Sequence, residues 1–154
     1  MKKFLALLLT AYAVVMQPSP QRLCDLIEYI PDATYSVYAQ GECHSIYAKR
    51  VANGADTILT CDVRGAQYLY RDVECVQGEM VTFSGDQADL DELCRVLDFC
   101  VVVPSEIPGC YYGYSSRLGT GVLLGGKKVN CQIVCSEGKI VVGWPLILGS
   151  YHLT

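Results

Sequence analysis

"TCDVRGAQYLYRDVEC", residues Thr60 to Cys75, carries a cysteine near each end of a run in which polar and apolar residues alternate at almost every step. Its reading decides the fold, because Cys61 and Cys75 are a metal clamp, a redox couple or a staple across two strands. Metal hooks and redox couples favour C-x-x-C or similarly short spacings, and this pair is too widely spaced for either. "RGAQ" in the middle offers a turn, so the stretch predicts a β-hairpin centred near Ala66 and Gln67. The two cysteines would then lie opposite each other or one step out of register. A staple is the preferred reading.

Seven further cysteines, Cys24, Cys43, Cys94, Cys100, Cys110, Cys131 and Cys135, complete a set of nine. All lie beyond an N-terminal "MKKFLALLLTAYAVVMQPSPQ", in which two lysines precede an apolar run from Phe4 to Met16 and a Pro-rich exit. That layout predicts a secretory signal peptide over 1–17, cut between about 13 and 17. Ala11 and Ala13 offer an A-x-A cleavage site, and "QRLC" lacks the small residues of a lipoprotein box. The apolar run is too short to span a bilayer comfortably, and the signal is the only membrane-directed segment expected. An oxidising compartment turns such a cysteine count into a disulfide framework. Nine is odd, so one thiol is left over, either buried, reactive or available for a disulfide-linked dimer. The pairing does not follow from the sequence.

The chain has 154 residues, 51% hydrophobic and 18% charged, which bounds it to one domain with a packed core over 18–154. Net charge is −4 and no basic stripe is present, so binding to nucleic acid is not expected. "RLCDLIEYI" (22–30) places Leu23, Leu26, Ile27 and Ile30 on one helical face, and Pro31 ends it. Short Tyr-, Val- and Ile-rich segments follow, each closed by turn residues: "TYSVYA", "SIYAKRV" before Asn53-Gly54, "TILTCDV", "QYLYRDVEC" and "EMVTF".

A second helix is expected where Leu90, Leu93, Cys94 and Leu97 recur at helical spacing, capped by Ser84 or Asp86, with Asp89, Asp91 and Glu92 in its first turns. Strands resume with "CVVV", "CYYGYSS", "KKVNCQIVC", the turn "SEGK" and the apolar run Ile140 to Leu148. The fold class expected is α+β, mostly β: antiparallel hairpins and small sheets with two short helices, cross-linked by disulfides. The halves 22–83 and 84–154 echo each other weakly, each opening on a cysteine-bearing helix.

Candidate chemistries are thin. "GVLLGGKK" (121–128) fits a phosphate-binding loop except at Lys128, where a hydroxyl residue is needed, and a strand-like segment follows it instead of a helix. His44 and His152 are the only histidines, and no nucleophile elbow is present. Cys131 and Cys135, or Cys94 and Cys100, lack the second hook of a zinc site. The acidic cluster 86–92 lacks the alternating ligands of a calcium loop. No catalytic residue, metal or cofactor is therefore expected.

Eleven tyrosines against three phenylalanines are the surplus. On strands, Tyr68 and Tyr70 would share one face, and Tyr112 and Tyr114 another. With the loop of Gly119, Gly121, Gly125 and Gly126, they form the expected binding surface. The function expected is a secreted, non-enzymatic interaction module for an extracellular protein or glycan. An inhibitor or toxin-like effector presenting Ser105–Gly109 or Leu118–Gly126 is the alternative, and a small secreted hydrolase the third.

Overall fold

A computed structural model describes residues 20–28 and 30–147. The signal segment 1–17 and His152 lie outside them. The elements run α1 (Leu23–Leu26), β1 (Thr34–Ala39), β2 (Lys49–Asn53), β3 (Asp56–Asp62), α2 (Val63–Asp72), β4 (Val76–Ser84), α3 (Gln87–Leu97), β5 (Phe99–Val103), β6 (Cys110–Ser115), β7 (Val122–Leu124), β8 (Lys127–Val129), β9 (Cys131–Ser136) and β10 (Lys139–Trp144). The chain is mostly β, with antiparallel pairing throughout and three helices among the described residues.

The hairpin expected over 60–75 is a helix. Three forces make it so. Asp62 caps it, its Oδ1 accepting from Gly65 N at 2.7 Å. Val63, Ala66, Leu69 and Val73 recur at helical spacing and are all buried. Gly65 is needed for close approach, since a Cβ there would lie 3.0 Å from both Cys61 Cβ and the Tyr47 carbonyl. The apparent alternation came from Tyr68 and Tyr70 flanking Leu69. Cys61 and Cys75 therefore flank a ten-residue helix, about 15 Å long at 1.5 Å per residue, against the ~7 Å limit for bridged Cα atoms. They do not staple to each other. None of the nine cysteines is bonded to another in the structure.

Other expectations need smaller changes. Helix α1 is four residues long, shorter than its apolar face suggested, with Ile27 as its C-cap. Helix α3 begins as expected at Asp86, which accepts from Ala88 N and Asp89 N while Asp89 reaches back to the Asp86 amide. The strand run 127–136 breaks at Asn130, and the glycine-rich stretch is a β7–β8 hairpin turned by Gly125 and Gly126, both at positive φ. The apolar run from Ile140 supplies β10, buried from Ile140 to Gly143; Leu148 lies outside the described residues.

Instead of small sheets, one eight-stranded sheet forms, ordered β2-β3-β1-β4-β10-β9-β6-β5. Its middle is the β4–β10 pair, whose register runs from Lys139 opposite Ser84 to Trp144 opposite Glu79. One face carries Tyr35, Val37, Leu59, Val81, Phe83, Ile133, Ile140 and Val142, and the three helices bury Leu23, Ile27, Leu69, Leu90, Leu93 and Leu97 with them in one core. On the other face a smaller cluster, Cys110, Val134 and Val141, is covered by Met80, Tyr112 and Ile147.

Candidate functional site

Glu79 occupies a position where strand alternation demands an apolar side chain, in phase with Val81 and Phe83 on the core face. It is 3% exposed. The fold meets its needs with a polar network. Glu79 Oε2 accepts from Leu23 N at 2.7 Å, where α1 begins. The Tyr35 hydroxyl hydrogen-bonds to Glu79, accepts from Cys24 N at 3.1 Å and lies 2.9 Å from the Tyr70 hydroxyl on α2. Burial pushes the Glu79 carboxyl up to about 7, partly offset by the Leu23 amide, the Tyr35 hydroxyl and the Arg22 charge. The same burial raises Cys24 to about 12, which keeps its thiol protonated.

Above this network a cleft of about 330 Å³ opens between the α1 segment, β4, β10 and the loop after β6. Glu79 and Trp144, cross-strand partners, share its floor with Tyr70 and Val76. Gln21 and Arg22 form one rim and Gly119 and Thr120 the other. The two rims are tied by Gln21 N donating to the Arg117 carbonyl at 2.8 Å. Buried Asn130 fixes the second rim: its amide donates to the carbonyls of Ser115 and Gly119, both at 2.9 Å, and its Oδ1 accepts from Ser115 N at 2.7 Å. Gly119 lets that rim lie on the indole, because a Cβ there would sit 3.1 Å from Trp144 Cζ2.

Two features make the cleft chemically incomplete. The Trp144 indole N–H is buried and has no hydrogen-bond partner, which is rare because an unsatisfied buried donor costs roughly 1–3 kcal/mol. Arg22 stacks its guanidinium 4.3 Å over the Tyr70 ring and pairs with Asp25 at 3.6 Å, leaving a cation at the mouth.

The expected tyrosine surface is divided. Because 68–70 is helical, Tyr68 and Tyr70 point to different sides: Tyr68 stacks on Tyr47 at a centroid distance of 4.9 Å, while Tyr70 turns into the cleft. Tyr112 and Tyr114 do share a strand face, Tyr112 packed in the smaller cluster and Tyr114 with Lys128 5.6 Å from its ring. Lys128 belongs to the β7–β8 hairpin and links Gly125 and Gly126 to Tyr114, whereas Gly119 belongs to the cleft. Gly121 is held against the Val129 carbonyl, 2.1 Å from a would-be Cβ.

His44 lies outside the cleft, 70% exposed and 3.3 Å from Glu42. Among the described residues no group of three or more His, Cys, Asp or Glu side chains comes together as a metal site would require. Sequence reasoning missed Glu79 and Trp144. The available signals were a carboxylate in phase with Val81 and Phe83, and the only tryptophan in the chain. Compared with protein-family models, curated proteins and solved structures, the chain matches none.

Proposed function

We propose that this chain is a secreted binding module, exported by its N-terminal leader and stabilised by disulfides outside the cell, that recognises an extracellular protein or glycan without transforming it. The observation that carries this reading is the cleft, lined by buried Glu79 and by its cross-strand partner Trp144, whose N–H is unpartnered. A fixed concave surface with a few convergent polar groups is the usual build of a ligand site. Export and oxidation rest on the leader and the nine cysteines.

The arrangement also favours particular bridges. Cys43 Sγ donates to the Gln40 carbonyl at 3.7 Å while Gln40 N donates to the Cys75 carbonyl at 3.0 Å, so both cysteines adjoin one residue. Cys131 is buried beside Cys94, whose charge adds to the burial that raises the Cys131 thiol. Mass spectrometry of protein collected from the medium, before and after reduction, is expected to find intrachain bridges; nine reduced thiols would remove the oxidised reading.

Binding is tested by applying the protein to a glycan array and to a panel of displayed ectodomains. Saturable binding weakened by Trp144→Phe, which deletes the N–H and keeps an aromatic ring, is the expected result. Absence of binding on both, or binding indifferent to Trp144→Phe, overturns the assignment to the cleft.

One observation favours a second reading, an inhibitor or toxin-like effector. Leu123 is 76% exposed on the β7–β8 hairpin, a rigid mount for an apolar side chain. Inhibition across a protease panel, lost in Leu123→Ser, would select it.

A further inference from the structure

We infer that the cleft floored by Glu79 and Trp144 is a subsite for a single neutral pyranose ring of an extracellular glycan. This rests on the binding reading above and names the chemistry its site takes.

Size sets the first limit. About 330 Å³ lies at the small end of ligand pockets, which run roughly 300–1,000 Å³. It has room for one pyranose ring. The walls set the second. Trp144, Tyr70 and Val76 present apolar surface, suited to the C–H face of a sugar.

The polar groups then discriminate by charge. The Trp144 N–H calls for an acceptor. Glu79, already held by Leu23 N and the Tyr35 hydroxyl, has capacity left to accept from a hydroxyl when ionised and to donate to one when protonated. Gln21 and Thr120 on the rims each both donate and accept. An anionic ligand would be drawn to Arg22 but would face Glu79 and Asp25. A cationic ligand would be drawn to Glu79 but would meet Arg22 and an indole N–H. A neutral ring whose hydroxyls donate and accept satisfies every group at once. The carboxyl's poise near neutrality, from burial, adds to this, because either protonation state can bond a hydroxyl.

Trp144 is the only tryptophan in the chain, so its fluorescence reports on the cleft alone. The mature protein is titrated with neutral hexoses and N-acetylhexosamines, with a uronic acid, with an amino sugar and with a short neutral peptide. A saturable change with at least one neutral sugar in the millimolar range is expected, with the uronic acid and the amino sugar each binding more weakly. Trp144→Phe, followed by saturation-transfer NMR, is expected to weaken that sugar roughly tenfold, the loss of one buried hydrogen bond. Gln21→Ala, on the rim and away from the core, is expected to weaken it by a smaller factor and keeps the test open should Trp144→Phe not fold. Silence to all sugars, or stronger binding of a charged one, overturns the inference. In that event a displayed ectodomain still bound through Trp144, or a response to the peptide, leaves the binding reading standing with a protein ligand.

Discussion

Strands β5, β6, β9 and β10 follow one another through the sheet as a meander, interrupted only by the β7–β8 hairpin, whereas β2, β3, β1 and β4 reach their order β2-β3-β1-β4 through the helical passage α2. The two halves differ inside as well. Beneath α3, Leu90, Leu93, Leu97, Phe99 and Ile133 belong to the core, and the buried polar side chains of this half, Ser115 and Asn130, bond to backbone groups. Beneath α1 and α2 the core contains the carboxyl of Glu79, the hydroxyls of Tyr35 and Tyr70 and the thiol of Cys24. The half joined by short turns ties its buried polar side chains to the backbone. The half that sends its chain across the sheet holds a hydrogen-bonded network, and the cleft lies where that network meets the meander.

The largest expected effect breaks the packing beneath α3. Leu93 is fully buried, and Leu93→Ala leaves a cavity costing about 2–5 kcal/mol, read as a lower denaturant midpoint with an unchanged slope. That loss should be the same at every pH.

The network beneath α1 and α2 behaves otherwise. The folded Glu79 carboxyl sits at about 7 against 4.5 unfolded, so the folded state holds its proton more tightly. Its contribution is fully present below the unfolded value and is lost as pH rises through the folded one, the reverse of a salt-bridged carboxylate. Between about pH 4.5 and pH 7.5, wild type should lose on the order of 3 kcal/mol that Glu79→Gln does not lose. Parallel pH–stability curves for the two proteins would refute this.

Helix caps sharpen the contrast. Asp86 accepts two amides and is reciprocated by Asp89, while Asp62 accepts from Gly65 N. Asp86→Ala should cost about 1–2 kcal/mol and Asp62→Ala about half that, by thermal unfolding. Smallest of all, Leu123→Ser on the exposed hairpin should stay within about 0.5 kcal/mol of wild type.

Connections between neighbouring strands were legible in the sequence in both halves, and long-range joins were not. Asn53-Gly54, Glu137-Gly138 and the alternation of 131–142 announce turns and strands directly, because each connection is made by residues adjacent in the chain. The stretch 60–75 held two periodicities at once. Tyr68, Leu69 and Tyr70 suggested alternation, and Val63, Ala66, Leu69 and Val73 traced a helical stripe that burial selected. The join of β4 to β10 was not legible, since it depends on which of several equivalent apolar strands meet. With that join hidden, nothing placed Glu79 beside Trp144. The tyrosine surplus pointed to Tyr70 for the wrong reason, through a strand face that does not exist.

The place of β10 bears on how the chain is made. The sheet is closed at its centre by the last of its described strands, laid against β4 and β9. During synthesis, β4 must wait with one edge unpaired until residues 139–144 emerge, and such an edge is a template for wrong partners. A nascent chain halted before Lys139 therefore lacks the strand that joins the two halves of the sheet and leaves the β4 edge open to wrong partners.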